Sequence, residues 1–130
     1  MKRPNRPTAP SVETLYVASQ TDEERVVIAL LRGLGLSPWD AVRLRCRDVD
    51  VDTAPATLVN RGVVLVLPAD VCLVLSQHLQ FQGLAGDDAL LGCSEENLRN
   101  AVHAIGERLG VPLSAHDLRR AYIAERWASR

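Results

Sequence analysis

The sequence predicts a mostly helical α+β domain with one small antiparallel β-hairpin sheet. Three observations predict it. Capped segments with apolar residues at helical spacing recur along the chain. A single pair of short, β-branched runs flanks the Asn60-Arg61-Gly62 turn. And 130 residues at 47% hydrophobic content suit one core, in which about two-thirds of the unfolded surface becomes buried.

In chain order, residues 1–10 (MKRPNRPTAP) hold three prolines and three cations without an apolar period, which predicts a flexible basic tail able to touch phosphate non-specifically. Residues 11–130 then form one domain. Ser11–Ser19 reads as a short helix with Val12, Leu15 and Tyr16 on one face. Thr21 caps a second helix with Glu24 as its capping-box partner, and Val27, Leu30, Leu31 and Leu34 make its buried stripe. After a Gly-containing break, Ser37 caps a third helix with Pro38 at its first position, followed by an Asp-rich exit.

Ala56–Val59 and Val63–Leu67 read as the hairpin, and the unbroken apolar run of its second strand predicts that both strand faces are covered. Asp70 starts a helix with Val71, Val74, Leu75, His78 and Leu79 on one side, His78 being a packing residue. Ser94 caps the next, with Leu98, Ala101, Val102, Ile105 and Leu109 as its stripe and Gly110 and Pro112 as its stop. His103 lies off that stripe and is expected to be exposed. Ser114, with Asp117 three residues later, caps a last helix in which Leu118, Ala121, Tyr122 and Glu125 follow at helical spacing. Nothing repeats at a solenoid period.

Several functions find no support. No apolar stretch approaches the roughly 20 residues that span a bilayer, and the start Met1-Lys2-Arg3 runs into Pro4 instead of a signal-peptide core. Cys46, Cys72 and Cys93 are odd in number and widely spaced, which fits free thiols in a reducing, cytoplasmic setting. His78, His103 and His116 have no metal-ligand spacing, and neither a P-loop nor a dinucleotide fingerprint is present, so no cofactor is expected. Cys93, near a helix start that favours a thiolate, is an isolated nucleophile candidate without an identified His.

The richest chemistry lies in His116-Asp117-Leu118-Arg119-Arg120. His116 and Arg119, three apart in the first turns of one helix, share a face. A guanidinium fork matches phosphate oxygens, a nearby His donates a proton, and a helix N-terminus favours an anion. The same residues admit a plainer reading, in which Arg119 pairs with Asp117 or Glu125 and His116 only begins the helix.

With the helices of residues 22 to 52, the run resembles the catalytic domain of tyrosine recombinases, the phage integrase family. Gly35, Leu36, Asp40, Leu44, Asp48 and Val49 fall on its first conserved segment, Val66, Leu67 and Pro68 on its hairpin exit, and His116 to Arg120 on its His-x-Leu-Arg box. The resemblance covers residues 11 to 130 and implies a tyrosine recombinase catalytic-core-like fold. It also implies DNA as partner.

Departures from the family pattern bear on activity. One register puts Ser37 where the family has its first catalytic Arg and another puts Gly35 there; neither supplies the Arg. The hairpin lacks the family's Lys, the chain's one Lys being Lys2, and Arg61 is the nearest cationic substitute. Eleven residues follow Arg119, where the family has a further His or Trp and the nucleophilic Tyr; Trp127 comes too early, and Tyr122 and Tyr16 read as core residues. The expectation is a domain lacking the C-terminal nucleophile segment: no enzyme, an inactive relative.

Charge is equivocal. Fifteen basic and sixteen acidic residues leave a net −1, whereas nucleic-acid domains are often clearly basic. Arg43, Arg45 and Arg47 alternate, Arg43 and Arg47 sharing a face if the helix continues, and Arg119, Arg120, Arg126 and Arg130 crowd the end. The leading expectation is a non-catalytic DNA-binding protein linked to recombination or integration. Its phosphate contacts would be His116, Arg119, Arg120, Arg43 and Arg61, with low sequence specificity. A second is a protein-interaction module that binds a full-length recombinase or self-associates, favoured by an exposed apolar patch. A third keeps the fold and leaves the box as a helix cap.

Overall fold

The computed structural model describes residues 10–128. The expected tail, Lys2 within it, and Arg130 lie outside the described residues, apart from Pro10.

Six α-helices and a three-stranded sheet follow in order: α1 (Val12–Ala18), α2 (Asp22–Ile28), α3 (Pro38–Arg43), β1 (Val49–Asp50), β2 (Thr57–Asn60), β3 (Val63–Val66), α4 (Ala69–Gln82), α5 (Glu95–Leu109) and α6 (Ala115–Ala128). The mostly helical α+β expectation holds. The caps act as the spacing predicts: hydroxyls of Ser11, Thr21, Ser37, Ser94 and Ser114 accept backbone N–H groups of Thr14, Glu24, Asp40, Asn97 and Asp117. Ser114 and Asp117 form a reciprocal box, the Asp117 carboxylate accepting Ser114 N–H at 2.9 Å.

Helix α2 does not stop at Ile28. It widens into a π-helical turn, Ala29–Gly33, and closes with Leu36 N–H donating to Leu30 O at 3.1 Å. That six-residue closure needs a left-handed residue just past the helix, which Gly35 supplies at φ 71. Val26 to Leu31 are all buried, because α4, α5 and α6 pack around this segment. It is the central rod of the molecule, and Leu15, Leu75, Leu98, Val102, Ile105 and Leu118 complete the core.

The sheet is antiparallel with order β1-β2-β3. β1 arises from the Asp-rich exit, which had no strand signal beyond Val49 and Val51. β2 and β3 join through Arg61 (φ 51) and Gly62 (φ 77), a two-residue turn with both φ positive that matches strand twist. Leu58 opposite Leu65 and Val49 opposite Leu58 face the core. The expectation that both faces of the second strand are covered is overturned: Val63, Val64 and Val66 are 58%, 62% and 61% exposed. Helices cover one face of the sheet only, and an apolar run does not say how many layers lie above it.

Two further expectations need correction. α3 ends at Arg43, so Arg43 and Arg47 share no helical face; Leu44 is extended and Cys46–Asp48 is a 3-10 turn. This stretch is stitched to residues 86–90 by Cys46 N–H to Asp88 O (2.9 Å), Arg47 N–H to Gly86 O (2.8 Å) and Leu90 N–H to Leu44 O (3.0 Å). Helix α4 begins at Ala69 with Pro68 as its cap residue, one position before Asp70. His78 is buried as expected, bridging the Asp22 carboxylate and Leu90 O, and His103 is exposed.

Candidate nucleic-acid interface

Helix α6 is seated by its inner side. Leu118 is fully buried and Ala115 nearly so. The Tyr122 ring lies against Gly35, and the Arg32 guanidinium, from the π-helical turn, pairs with the Glu125 carboxylate. These contacts come from one side of the helix, and they turn the rest outward. His116, Arg119 and Arg120 are exposed, and Ile123 is 44% exposed beside them. At 100° per residue, His116, Arg119 and Ile123 fall on neighbouring rows of one face.

The plainer ion-pair reading of Arg119 is not what forms. Asp117 is engaged with Ser114 N–H and Glu125 with Arg32. Among the described residues, no side chain forms a hydrogen bond or salt bridge with the side chains of His116, Arg119 and Arg120, whose backbones belong to α6. Arg126 lies over the Tyr122 ring, 5.6 Å from its centroid, a partly solvated cation–π contact.

Arg43 and Arg61 are brought together elsewhere, at the rim of a small cavity of about 210 Å³ between α3 and the hairpin tip, lined also by Trp39, Asp40, Asp48 and Asn60. Arg43 stacks over the Trp39 ring and donates to Trp39 O at 3.2 Å. Arg61 Nε donates to Asp40 Oδ1 at 2.7 Å, so its charge is already matched. No hydrogen bond among the described residues joins this pair to His116 or Arg119. The five candidate residues therefore form two groups: an unpaired one on α6 and a partly neutralised one at the hairpin tip.

Ser37 is committed to structure. Its hydroxyl accepts Asp40 N–H at 3.2 Å as the cap of α3, and no cationic side chain occupies its position or that of Gly35. Tyr122 is half-buried against Gly35, in keeping with a packing role. The Tyr16 hydroxyl donates to Asp70 at 3.3 Å; burial, then the neighbouring Asp70 charge, raises its pKa above the usual phenol value.

Cys93 does not carry the thiolate that a helix start would favour. Burial, reinforced by the Glu23 carboxylate, pushes its thiol up to about 11. All three cysteines are free. Among the described residues no group of His, Cys, Asp and Glu has the grouping to hold a metal, and no helix is long and apolar enough to cross a membrane.

Sequence reasoning missed two participants. Arg32 closes the apolar run VVIALLR, where a lone cation at the end of a buried stripe signals a need for a partner, but the partner sits 93 residues away. Trp39, 47% exposed, had only its unusual composition to mark it, an aromatic at an exposed position of a capped first turn.

No protein-family model and no curated protein matches the sequence. Solved structures do match. The chain superposes on the crystal structure of XerA recombinase with a TM-score of 0.72 and 16% identity, covering 93% of this chain and 50% of that one. It superposes on the integrase from mycobacterium phage Brujita with a TM-score of 0.70 and 19% identity, covering 94% and 46%. The chain has a tyrosine-recombinase-like fold. It spans about half the length of each of these proteins. In the structure a break after α2, a hairpin and the start of α6 follow one another in that chain order.

Proposed function

We propose that this recombinase-like domain binds DNA through backbone phosphates without cutting it, as an accessory or regulatory factor in recombination or integration. The observation that carries the reading is the exposed His116, Arg119 and Arg120 group, whose side chains meet no acid among the described residues while Arg32 and Arg61 are both paired. Unpaired cations on a helix face are what counterion release from a duplex rewards. The absence of catalysis is supported by Ser37 and Gly35, the two positions, one in each register, where the resemblance implies the first catalytic Arg, and by Arg61, whose tie to Asp40 takes the place of a free hairpin Lys.

A titration of a labelled duplex by fluorescence anisotropy across a salt series tests the reading, with Arg119→Ala beside the native chain. Salt-dependent binding, weakened in the variant with a salt slope smaller by about one, is expected. No binding at low salt would sink it. A nicked-plasmid assay on the same protein examines cleavage separately, and covalent protein–DNA product would overturn the non-catalytic part.

A second reading has its own observation. Ile123 is 44% exposed on the cationic face of α6, and Trp127, at 67%, follows one turn later. An apolar pair beside His116 and two arginines suits a protein partner, and retention of a full-length recombinase with no duplex binding would favour it.

A further inference from the structure

Strand β3 is an edge. The order β1-β2-β3 leaves its far side without a neighbouring strand among the described residues. Pairing with β2 decides which backbone groups face that side. Leu67 N–H donates to Ala56 O at 2.9 Å, and the register sets Leu65 opposite Leu58 and Val63 opposite Asn60. Backbone groups alternate along an antiparallel strand, so Val63 and Leu65 turn theirs toward β2 while Val64 and Val66 direct theirs outward.

An edge of this kind is normally blunted. Monomeric proteins place a lysine, a proline or a bulge on it, or cover it with a helix or loop. Val63-Val64-Leu65-Val66 carries no charge and no proline, its pairing with β2 runs without a bulge, and three of its four side chains are more than half exposed. The outer face of the hairpin adds Val59, opposite Val64, at 37% exposed.

We propose that β3 pairs antiparallel with β3 of a second copy of this chain, about a two-fold axis at Leu65. In that register Val64 of one copy lies opposite Val66 of the other and Leu65 opposite Leu65. Each copy offers two outward residues with one N–H and one C=O apiece, so the two strands satisfy each other completely in four hydrogen bonds. The outer faces merge into one valine cluster from Val59, Val64 and Val66 of both copies, removing apolar surface from water. Charge agrees with the direction. An antiparallel pair keeps the two Arg61 side chains, each paired with its own Asp40, at opposite ends and brings each toward the partner's Asp70 end, whereas a parallel pair would set Arg61 beside Arg61. The interface is isologous and closed, giving a dimer and no fibre.

This inference is independent of DNA binding, and its test contains no DNA. Sedimentation velocity and amide hydrogen exchange by NMR are recorded from about 10 to 500 µM, a range that covers a weak, strand-sized interface. A dimer whose fraction rises with concentration is expected, with the amides of Val64 and Val66 gaining protection as it forms and those of Val63 and Leu65 protected throughout. Val64→Pro deletes an outward N–H at a position where an edge strand tolerates proline, and it is expected to be folded and monomeric. Val64→Thr keeps the N–H and is expected to dimerise. If the proline disturbs folding, Val64→Lys, which sets like charges near one another across the axis, replaces it with the same expectation. A native chain that stays monomeric across the range, or a folded Val64→Pro or Val64→Lys chain that dimerises as well as the native one, would overturn the proposal.

Discussion

The ring of Tyr122 occupies the space that a side chain at position 35 would need: a Cβ on Gly35 would stand 2.6 Å from Tyr122 Cε2 and 2.9 Å from Cγ. Gly35 also holds a left-handed backbone at φ 71. One contact therefore joins the loop that leads to Ser37 with the helix that carries Arg119, one turn before Tyr122. Gly35→Ala is expected to lower stability by about 2–4 kcal/mol, combining left-handed strain with overpacking. Urea unfolding measures it; a loss below about 1 kcal/mol would mean that α6 shifts to make room at little cost.

The His-x-Leu-Arg box should divide cleanly by role. Leu118 is fully buried while His116 and Arg119 are exposed. Leu118→Ala should cost about 2–5 kcal/mol through lost burial and a cavity. His116→Ala and Arg119→Ala should each stay within about 0.5 kcal/mol of the native chain. Thermal and urea unfolding of the three variants check this, and a strongly destabilised Arg119→Ala would assign that residue to the fold.

Asp40 governs whether Arg61 at the hairpin tip is free to meet an anion. Its carboxylate accepts Arg61 Nε at 2.7 Å and lies 3.5 Å from Asn60 Nδ2. Asp40→Asn keeps the shape and removes the charge. Duplex affinity at low salt should rise several-fold and the salt slope steepen by about one, as Arg61 becomes free to displace a counterion. An unchanged slope would show that the tip does not reach the phosphates.

Glu24 and Arg108 tie α2 to α5 with two hydrogen bonds, at 2.6 and 2.9 Å. The Arg108 hydrogen bond is the largest cause holding Glu24 below its ordinary carboxylate value of 4.5, with Gln20 N–H contributing. A depressed folded value means stability that is fully present above the unfolded value and is lost as pH falls through the folded one. The native unfolding midpoint should therefore drop as pH is lowered from about 5 toward 3. Arg108→Ala should lower the midpoint at neutral pH and flatten that acid limb. An acid limb of equal slope in both would remove the pair as its source.

Much of the fold was legible because its signals are local. The hydroxyl caps at Ser37, Ser94 and Ser114 each satisfy an N–H three residues away, and apolar spacing chose the buried faces of α2 and α5. The hairpin was readable from its turn for the same reason. The exposure of Val64 and Val66 was not, since alternation of β-branched residues is silent on whether a second layer exists. Cys93 failed similarly: a helix start predicts an anion-friendly site, but burial and Glu23 decide the thiol.

The candidate site was half legible. His116, Arg119 and Arg120 could be placed on one helix start, and the structure leaves them outward. Arg43 and Arg61 looked equivalent to them, yet each meets a partner from its own end of the molecule, Trp39 and Asp40. Whether a cation is free depends on which acids lie within about 4 Å of it, and sequence separation does not measure that. Arg32 and Glu125 are far apart along the chain and in contact in space.

By itself, then, the sequence determined the helices, their caps, the hairpin turn and the order of segments that marks a recombinase-like domain, because these rest on bonds within a turn or on a repeating pattern. Tertiary structure alone decided which arginines are neutralised, which way α6 faces and that β3 is left as an open edge. Those outcomes depend on non-local packing, where Arg32 and Gly35 meet α6 and none of the described residues covers the outer face of β3.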